Sequence, residues 1–388
     1  MPVKNRFAEM HDEITGWRRH IHANPELQFD VHETAAFVVD RLNEFGITDI
    51  TTGIGQTGVV ATIKGKTDTA GKVIGLRADM DALPIQEATG LEYASKTPGK
   101  MHACGHDGHT AMLLGAAKYL SETRNFDGTV VLIFQPAEEG GGGGREMCKD
   151  GMMDRWNIQE VYGMHNTPGM PVGQFALRPG AIMASSDEFE IIVTGKGGHA
   201  AEPHEAIDTT LVASQIVVSL HSIVSRNIAP IKRVVLTVGT FETDSVSSNI
   251  IPQTARLTGT VRALDPECRD VAEQRVRRVA VDTASAFGAT AQVNWQPSYP
   301  VTVNTAQETA YAAEAARIVA GTVDDDIDPI MPCEDFAYML QERPGAYMFL
   351  GNGDGTGVHH PEYDFNDEAI PAGCSWFAEL AEQRMPVT

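Results

Sequence analysis

The segment Met101-His102-Ala103-Cys104-Gly105-His106-Asp107-Gly108-His109-Thr110 places one thiol and three imidazoles within eight residues. Thiolate and imidazole are the preferred ligands of zinc-like cations. Taken alone, the same residues at a helix start serve equally well to cap and pack it. The choice depends on what the rest of the chain brings alongside.

Four further clusters bear on it. The apolar run Thr129–Phe134 leads into Gln135-Pro136-Ala137-Glu138-Glu139, followed by Gly140–Gly144. Side chains of adjacent residues diverge at a strand end, so one carboxylate can bind a cation while the other acts as general base. An isolated Glu-Glu pair before glycines is otherwise an exposed acidic turn. The run Val161–His165 ends in His165-Asn166, and Val73–Ala78 ends in Asp79-Met80-Asp81. His359-His360-Pro361 follows the apolar run Ala346–Gly351. Ligand sites of open α/β sheets lie beyond the carboxyl ends of strands, so convergence of these ends favours a metal-dependent site.

The elements that must position these groups follow from hydrophobic periodicity. Helices are expected over Phe7–Ala23, His32–Phe45 and Met112–Leu120, with strands over Val59–Ile63, Val73–Ala78, Thr129–Phe134 and Val161–His165. The pattern changes after Asp187. Strand Phe189–Thr194, helix Glu205–Arg226, strands Val234–Phe241 and Thr254–Arg262, helix Glu267–Phe287 and strand Gln292–Gln296 have the β-α-β-β-α-β order of a ferredoxin-like unit. Helix Glu308–Val319, strand Ala346–Gly351 and helix Pro371–Arg384 then return to the first pattern. The expected fold is α/β: a discontinuous catalytic α/β/α domain with a central mixed sheet over 1–182 and 299–388, and an inserted α+β domain over 183–298.

The composition agrees. At 388 residues the chain has room for two or three domains. Its 42% hydrophobic and 21% charged residues are ordinary for a folded globular protein. A net charge of −22 opposes nucleic-acid and anionic-membrane partners. The longest apolar run, Val130–Phe134, is far short of the ~18–20 residues of a membrane span. The N-terminal residues form no signal-like apolar stretch, and the five scattered cysteines contain no C-x-x-C, so a reducing cytoplasmic setting is expected.

Competing motifs fail their contexts. Gly53-Ile54-Gly55-Gln56-Thr57-Gly58 fits G-x-G-x-x-G but precedes a strand and opens no helix, and reads as a turn. Gly65-Lys66-Thr67 lacks the first P-loop glycine, since position 60 is Val60. His32-Glu33 and His204-Glu205 lack the second histidine of H-E-x-x-H, and no G-x-S-x-G is present.

Six ordered motifs, Arg77-Ala-Asp79-Met-Asp81-Ala-Leu-Pro84, Cys104-Gly-His106-Asp-Gly-His109, Gln135-Pro-Ala-Glu138-Glu139-Gly140, Gly163-Met-His165-Asn166, Gly197-Gly198-His199-Ala200 and His359-His360-Pro361, span nearly the whole chain. In this the sequence resembles the di-metal amidohydrolases that include hippurate hydrolase and auxin-conjugate hydrolases, relatives of aminoacylase and carboxypeptidase. The resemblance implies two divalent metal ions, zinc, manganese, cobalt or nickel, held by Cys104, His106, Glu139, His165 and His359. It implies Glu138 as general base and acid, and Asp81 as the residue orienting a ligand. His109 and Asp107 are expected to pack or cap the helix start. In the inserted domain, a lid in this family, it implies His199 as the group reaching the scissile carbonyl, in many relatives from a partner subunit. Asn249 and Arg262 resemble binders of the substrate carboxylate.

The implied activity is hydrolysis of an N-acyl amino acid to a carboxylic acid and a free amino acid. The implied assembly is a homodimer or higher homo-oligomer through the lid. An N-acetyl-amino acid deacetylase, for example one acting on N-acetyl-diaminopimelate, or a dipeptidase is an alternative on the same scaffold. A metal-binding protein without hydrolysis would have no use for Glu138 beside Glu139.

Overall fold

Val73–Asp79 is buried at every position in the computed structural model, which describes residues 4–387. Successive strand side chains point to opposite faces, so uninterrupted burial requires both faces of its sheet to be covered. Among the described residues, eight strands form this mixed sheet, in the order Ile50–Ile54, Gly58–Lys64, Thr129–Gln135, Val73–Asp79, Glu160–Thr167, Gly345–Gly351, Phe175–Ala176, Val323–Asp324. Val73–Asp79 runs parallel to both of its neighbours, and Gly345–Gly351 pairs parallel with Glu160–Thr167. The carboxyl ends of four strands therefore point the same way. A strand supplied late in the sequence sits between Glu160–Thr167 and Phe175–Ala176. Helices His11–Ala23, His106–Thr123, Ala306–Ala320 and Ile370–Arg384 pack as a connected set, with His106–Thr123 also against Val73–Asp79.

The chain divides into two compact units. The first contains this sheet and takes in the chain through Ile182, Val303–Asp328 and everything from Asp335 onward. The second comprises Met183–Thr302 and Pro329–Glu334. It therefore includes a short return segment outside the 183–298 stretch, where the Ala184 N–H donates to Pro332 O (3.0 Å). Its four strands are antiparallel, in the order Val234–Thr243, Thr254–Ala263, Ser185–Thr194, Thr290–Pro297. Helices Thr209–Leu220 and Pro266–Ala286 close a core that includes Ile191, Val193, Ile216, Leu257 and Val276. No helix among the described residues is long and apolar enough to cross a membrane.

Several elements differ from expectation for local reasons. The first helix is two, Asn5–Glu9 and His11–Ala23, because Met10 leaves helical geometry. The expected Glu205–Arg226 helix starts at Thr209, where the Asp208 side chain accepts the Thr210 and Leu211 N–H groups, and it breaks at His221. The helix expected from Met112 begins at His106, so its first turn carries part of the metal-type cluster. Those polar residues hid the helical periodicity, yet they are buried and bonded to other segments at Asp81, His22, Asp79 and Asn166. The glycine run is no flexible loop. It turns directly into helix Gly143–Lys149, and a Cβ on Gly143 would lie 1.7 Å from Pro136 O. The Gly53–Gly58 motif is the turn of a β-hairpin.

Candidate metal centre

The site builds up from the end of strand Val73–Asp79. Arg77 is buried and donates to Asp79 Oδ2 (2.7 Å), Asp335 Oδ1 (3.0 Å) and Gln135 Oε1 (2.9 Å). A buried guanidinium with three oxygen partners fixes the ends of two strands and the segment at Asp335. Two residues on, the Asp81 carboxylate accepts the backbone N–H of Glu138 (2.9 Å) and of Glu139 (3.0 Å). The preceding residue, Ala137, has φ +53°, a costly conformation held here by its bonds to Gln28 O (3.1 Å) and from the Gly143 N–H (3.0 Å). The Glu138–Glu139 pair is thus set by backbone contacts on both sides.

Two imidazoles are oriented in the same way. His106 Nδ1 donates to the Asp81 carbonyl (2.8 Å), and His165 Nδ1 donates to the Asn166 carbonyl (2.7 Å). Each ring therefore presents Nε2. His165 Nε2 lies 3.3 Å from Cys104 Sγ. His106 Nε2 is buried with no hydrogen-bond partner among the described residues, 3.7 Å from Asp79 Oδ2 and 4.0 Å from Glu139 Oε1. On the other side, His359 Nε2 lies 3.2 Å from Glu139 Oε1. His359 has φ +65° and a side chain 51% exposed. Of the groupings that result, two triads contain the thiol, Cys104–His106–His165 and Cys104–Glu139–His359, each with its ligand atoms within 4.8 Å of one another.

The electrostatics suit a cation. Burial pushes the Cys104 thiol well above its ordinary range, with Glu139 adding to the effect. Burial, helped by His109 and His106, holds His165 well below the usual imidazole range, which leaves its lone pair available. Burial opposes the Glu139 carboxylate, but His359 and His106 outweigh it and lower its pKa. A buried donor nitrogen without a partner, a thiol and a facing carboxylate form an arrangement that a divalent cation would satisfy.

The structure brings together Asp81, Cys104, His106, Glu138, Glu139, His165 and His359 in the first unit. His360 points elsewhere and accepts the Glu362 N–H at Nδ1 (3.1 Å). Asp107 accepts from His22 (2.8 Å) and faces Arg18. In the second unit, His199 pairs with Ile250 across a short two-stranded ladder, which sets it beside Asn249, whose carbonyl accepts the Ala200 N–H (3.1 Å). Both are exposed. Arg262 lies on Thr254–Ala263 opposite Ser186, with its guanidinium on Thr260 and the Val261 carbonyl.

Sequence reasoning expected His109 only to pack or cap the helix start and gave no role to Tyr363. His109 bonds Asp79 Oδ1 through Nδ1 (2.6 Å) and accepts the Asn166 N–H at Nε2 (3.0 Å), while Asn166 Nδ2 donates to the Tyr363 hydroxyl (2.6 Å). The fixed spacing of Asp79, His109 and Asn166 beside the ligands was visible, but Tyr363 carried no such signal.

Comparison with known proteins agrees with this geometry. The family model described as peptidase family M20/M25/M40 matches residues 75–383. The hippurate hydrolase of Campylobacter jejuni is 42% identical over 378 residues, 97% of each chain. An N-acetyl-L-cysteine deacetylase of Bacillus subtilis is also 42% identical, over 97% of this chain and 89% of its own. The crystal structure of Bacillus subtilis YXEP, a dinuclear metal-binding peptidase from the M20 family, superposes with a TM-score of 0.85 at 37% identity, covering 97% of this chain and 99% of that one. With its strand-end cluster, its mixed sheet and this full-length similarity, the chain belongs to peptidase family M20/M25/M40.

Proposed function

We propose that this protein is a metal-dependent amidohydrolase that cleaves N-acyl amino acids to a carboxylic acid and a free amino acid. One observation carries the reading: Cys104, His106, Glu139, His165 and His359 converge from distant segments, with Glu138 held beside them by Asp81. Two divalent cations of the zinc, manganese, cobalt or nickel class fit this donor set. When bound, such cations lower the pKa of a water and polarise a carbonyl.

The chain's own residues supply the rest. Asp81 fixes the backbone from which Glu138 and Glu139 diverge, so Glu139 serves as ligand while Glu138 takes a proton from the attacking water. Glu138 then returns that proton to the leaving amine. His199 donates to the carbonyl oxygen as negative charge develops, and Asn249 and Arg262 bind the substrate carboxylate. Support for these lid roles is the family resemblance, together with the neighbouring placement of His199 and Asn249 in the second unit. On this reading the second unit, the 183–298 lid of the sequence with its return segment, also forms a homodimer, with His199 acting in its own subunit or in the partner. Five free cysteines suit a reducing cytoplasm.

The test is amino-acid release from a panel of N-benzoyl, N-acetyl and indole-acetyl amino acids and dipeptides, using metal-reconstituted protein and a chelated control. Chelator-sensitive release is expected, and the fastest acyl group assigns the substrate. No release from any member, with metal bound, would favour a binding protein. Strongest release from N-acetyl substrates would favour the deacetylase alternative.

A further inference from the structure

The two triads are not built alike. Cys104 and His106 are buried and His165 is partly buried, and both imidazoles are locked through Nδ1. His359 is half exposed, has a left-handed backbone and follows a glycine-containing loop in which Gly353 also has positive φ. Its own anchors are its N–H bond to Ala103 O (2.6 Å) and the approach to Glu139. A ligand on such a segment needs a fixed point nearby.

Tyr363 is that point. Four residues beyond His359 it is wholly buried, and its hydroxyl accepts from Asn166 Nδ2 (2.6 Å). Asn166 directly follows His165, and its N–H donates to His109 Nε2, with its Oδ1 2.8 Å from the same nitrogen. His109 continues the chain to Asp79, which is held by Arg77 and faces His106. All of these side chains are buried. The fit leaves no slack, since a Cβ on Gly105 would lie 2.1 Å from Asn166 Oδ1 and 2.7 Å from the Tyr363 oxygen.

We propose that Tyr363 is a positioning residue: its hydroxyl, through Asn166 and His109, registers the His359 segment against the His165 and His106 segments and so sets the affinity of one of the two cation sites. The proposal rests on the metal reading above. Because Tyr363 shares its segment with His359 only, the site using Cys104, Glu139 and His359 depends on it. The site using Cys104, His106 and His165 does not.

The experiment is competitive zinc titration of the full chain against a chromophoric chelator, for wild type, Tyr363→Phe and Tyr162→Phe. The last deletes a buried hydroxyl, bonded to Glu160, near the start of the strand that carries His165 and Asn166. Wild type should bind two equivalents. Tyr363→Phe should keep one unchanged and weaken the other about 10–100-fold, the usual effect of losing a group behind a ligand, while Tyr162→Phe leaves both unchanged. If Tyr363→Phe fails to fold, Asn166→Ala, which removes the Nδ2 donor of the same bond, carries the test. Unchanged binding in Tyr363→Phe, or equal weakening of both equivalents, overturns the proposal, as does an equal shift in Tyr162→Phe. A wild type that binds no zinc overturns the metal reading, and the proposal with it.

Discussion

The Asp81 carboxylate receives the backbone N–H groups of Glu138 and Glu139 on its two oxygens, at 2.9 and 3.0 Å. One buried side chain thereby fixes the peptide geometry from which the two neighbouring carboxylates diverge. Asp81→Ala leaves the buried Glu138 N–H and the partly buried Glu139 N–H unpaired, which should cost about 1–3 kcal/mol for the buried one and less for the other. We expect a lower unfolding midpoint in denaturant and a fall in kcat exceeding any change in KM. A variant with wild-type kcat would show that the turn holds its shape without Asp81.

Glu138→Gln keeps the shape of the side chain and the Asp81 contact to its backbone but removes the base. Metal content and thermal midpoint should be unchanged, while turnover falls by about 10²–10⁴-fold, the usual contribution of a positioned acid–base group. Near-normal turnover would remove Glu138 from the chemistry.

Cys104 belongs to both triads, so its loss should disturb both sites, in contrast to Tyr363. Cys104→Ala is expected to bind fewer than two equivalents of metal by elemental analysis after gel filtration. Unchanged stoichiometry in Cys104→Ala would exclude the thiol as a ligand.

Glu160 provides a pH test away from the site. Burial favours its neutral form, but Arg384, Lys72 and the Tyr162 hydroxyl outweigh this and bring its pKa down from 4.5 to about 2. A depressed carboxylate stabilises the fold above its unfolded pKa, and that contribution disappears as pH falls through its folded value. The shift corresponds to roughly 3 kcal/mol before solvent screening and to less after it. The gap in thermal midpoint between wild type and Glu160→Gln should be full at pH 7 and narrow steadily from about pH 4.5 toward pH 2. A gap independent of pH would mean that the carboxylate's charge contributes nothing.

Gly105 has φ +95° and lies against Asn166 and Tyr363. Gly105→Ala combines a left-handed backbone with a steric clash, and should lower stability by about 2–4 kcal/mol in denaturant titrations. A loss below about 1 kcal/mol would show that the segment relaxes freely.

The sequence revealed those parts of the molecule whose signal is local. Val73–Asp79, Thr129–Gln135 and Gly345–Gly351 were readable because buried parallel strands are continuous apolar runs. Glu138, Glu139 and His165 stood out through residue type and placement at or just after strand ends, and Cys104 and His106 through their density with other imidazoles at a helix start. Helix His106–Thr123 was mistaken at its start because its first turn is polar, and only tertiary partners such as Asp79 and His22 make burial there tolerable. Tyr363 and Asp335 were illegible for a related reason. Their roles consist of bonds to residues roughly 200 positions away, which no periodicity encodes.

The place of Gly345–Gly351 within the sheet also governs how the molecule comes into being. At ~5–20 residues per second, a ribosome makes this strand roughly 10–40 s after Glu160–Thr167, the neighbour it must pair with. Through that interval the nascent chain carries an apolar strand with one open edge, the kind of template on which chains associate wrongly. His359 emerges later still. On the proposed ligand set, capture of a full metal complement waits for the segment beyond this last strand, and cells making this protein quickly will have to shield the waiting edge until its partner arrives.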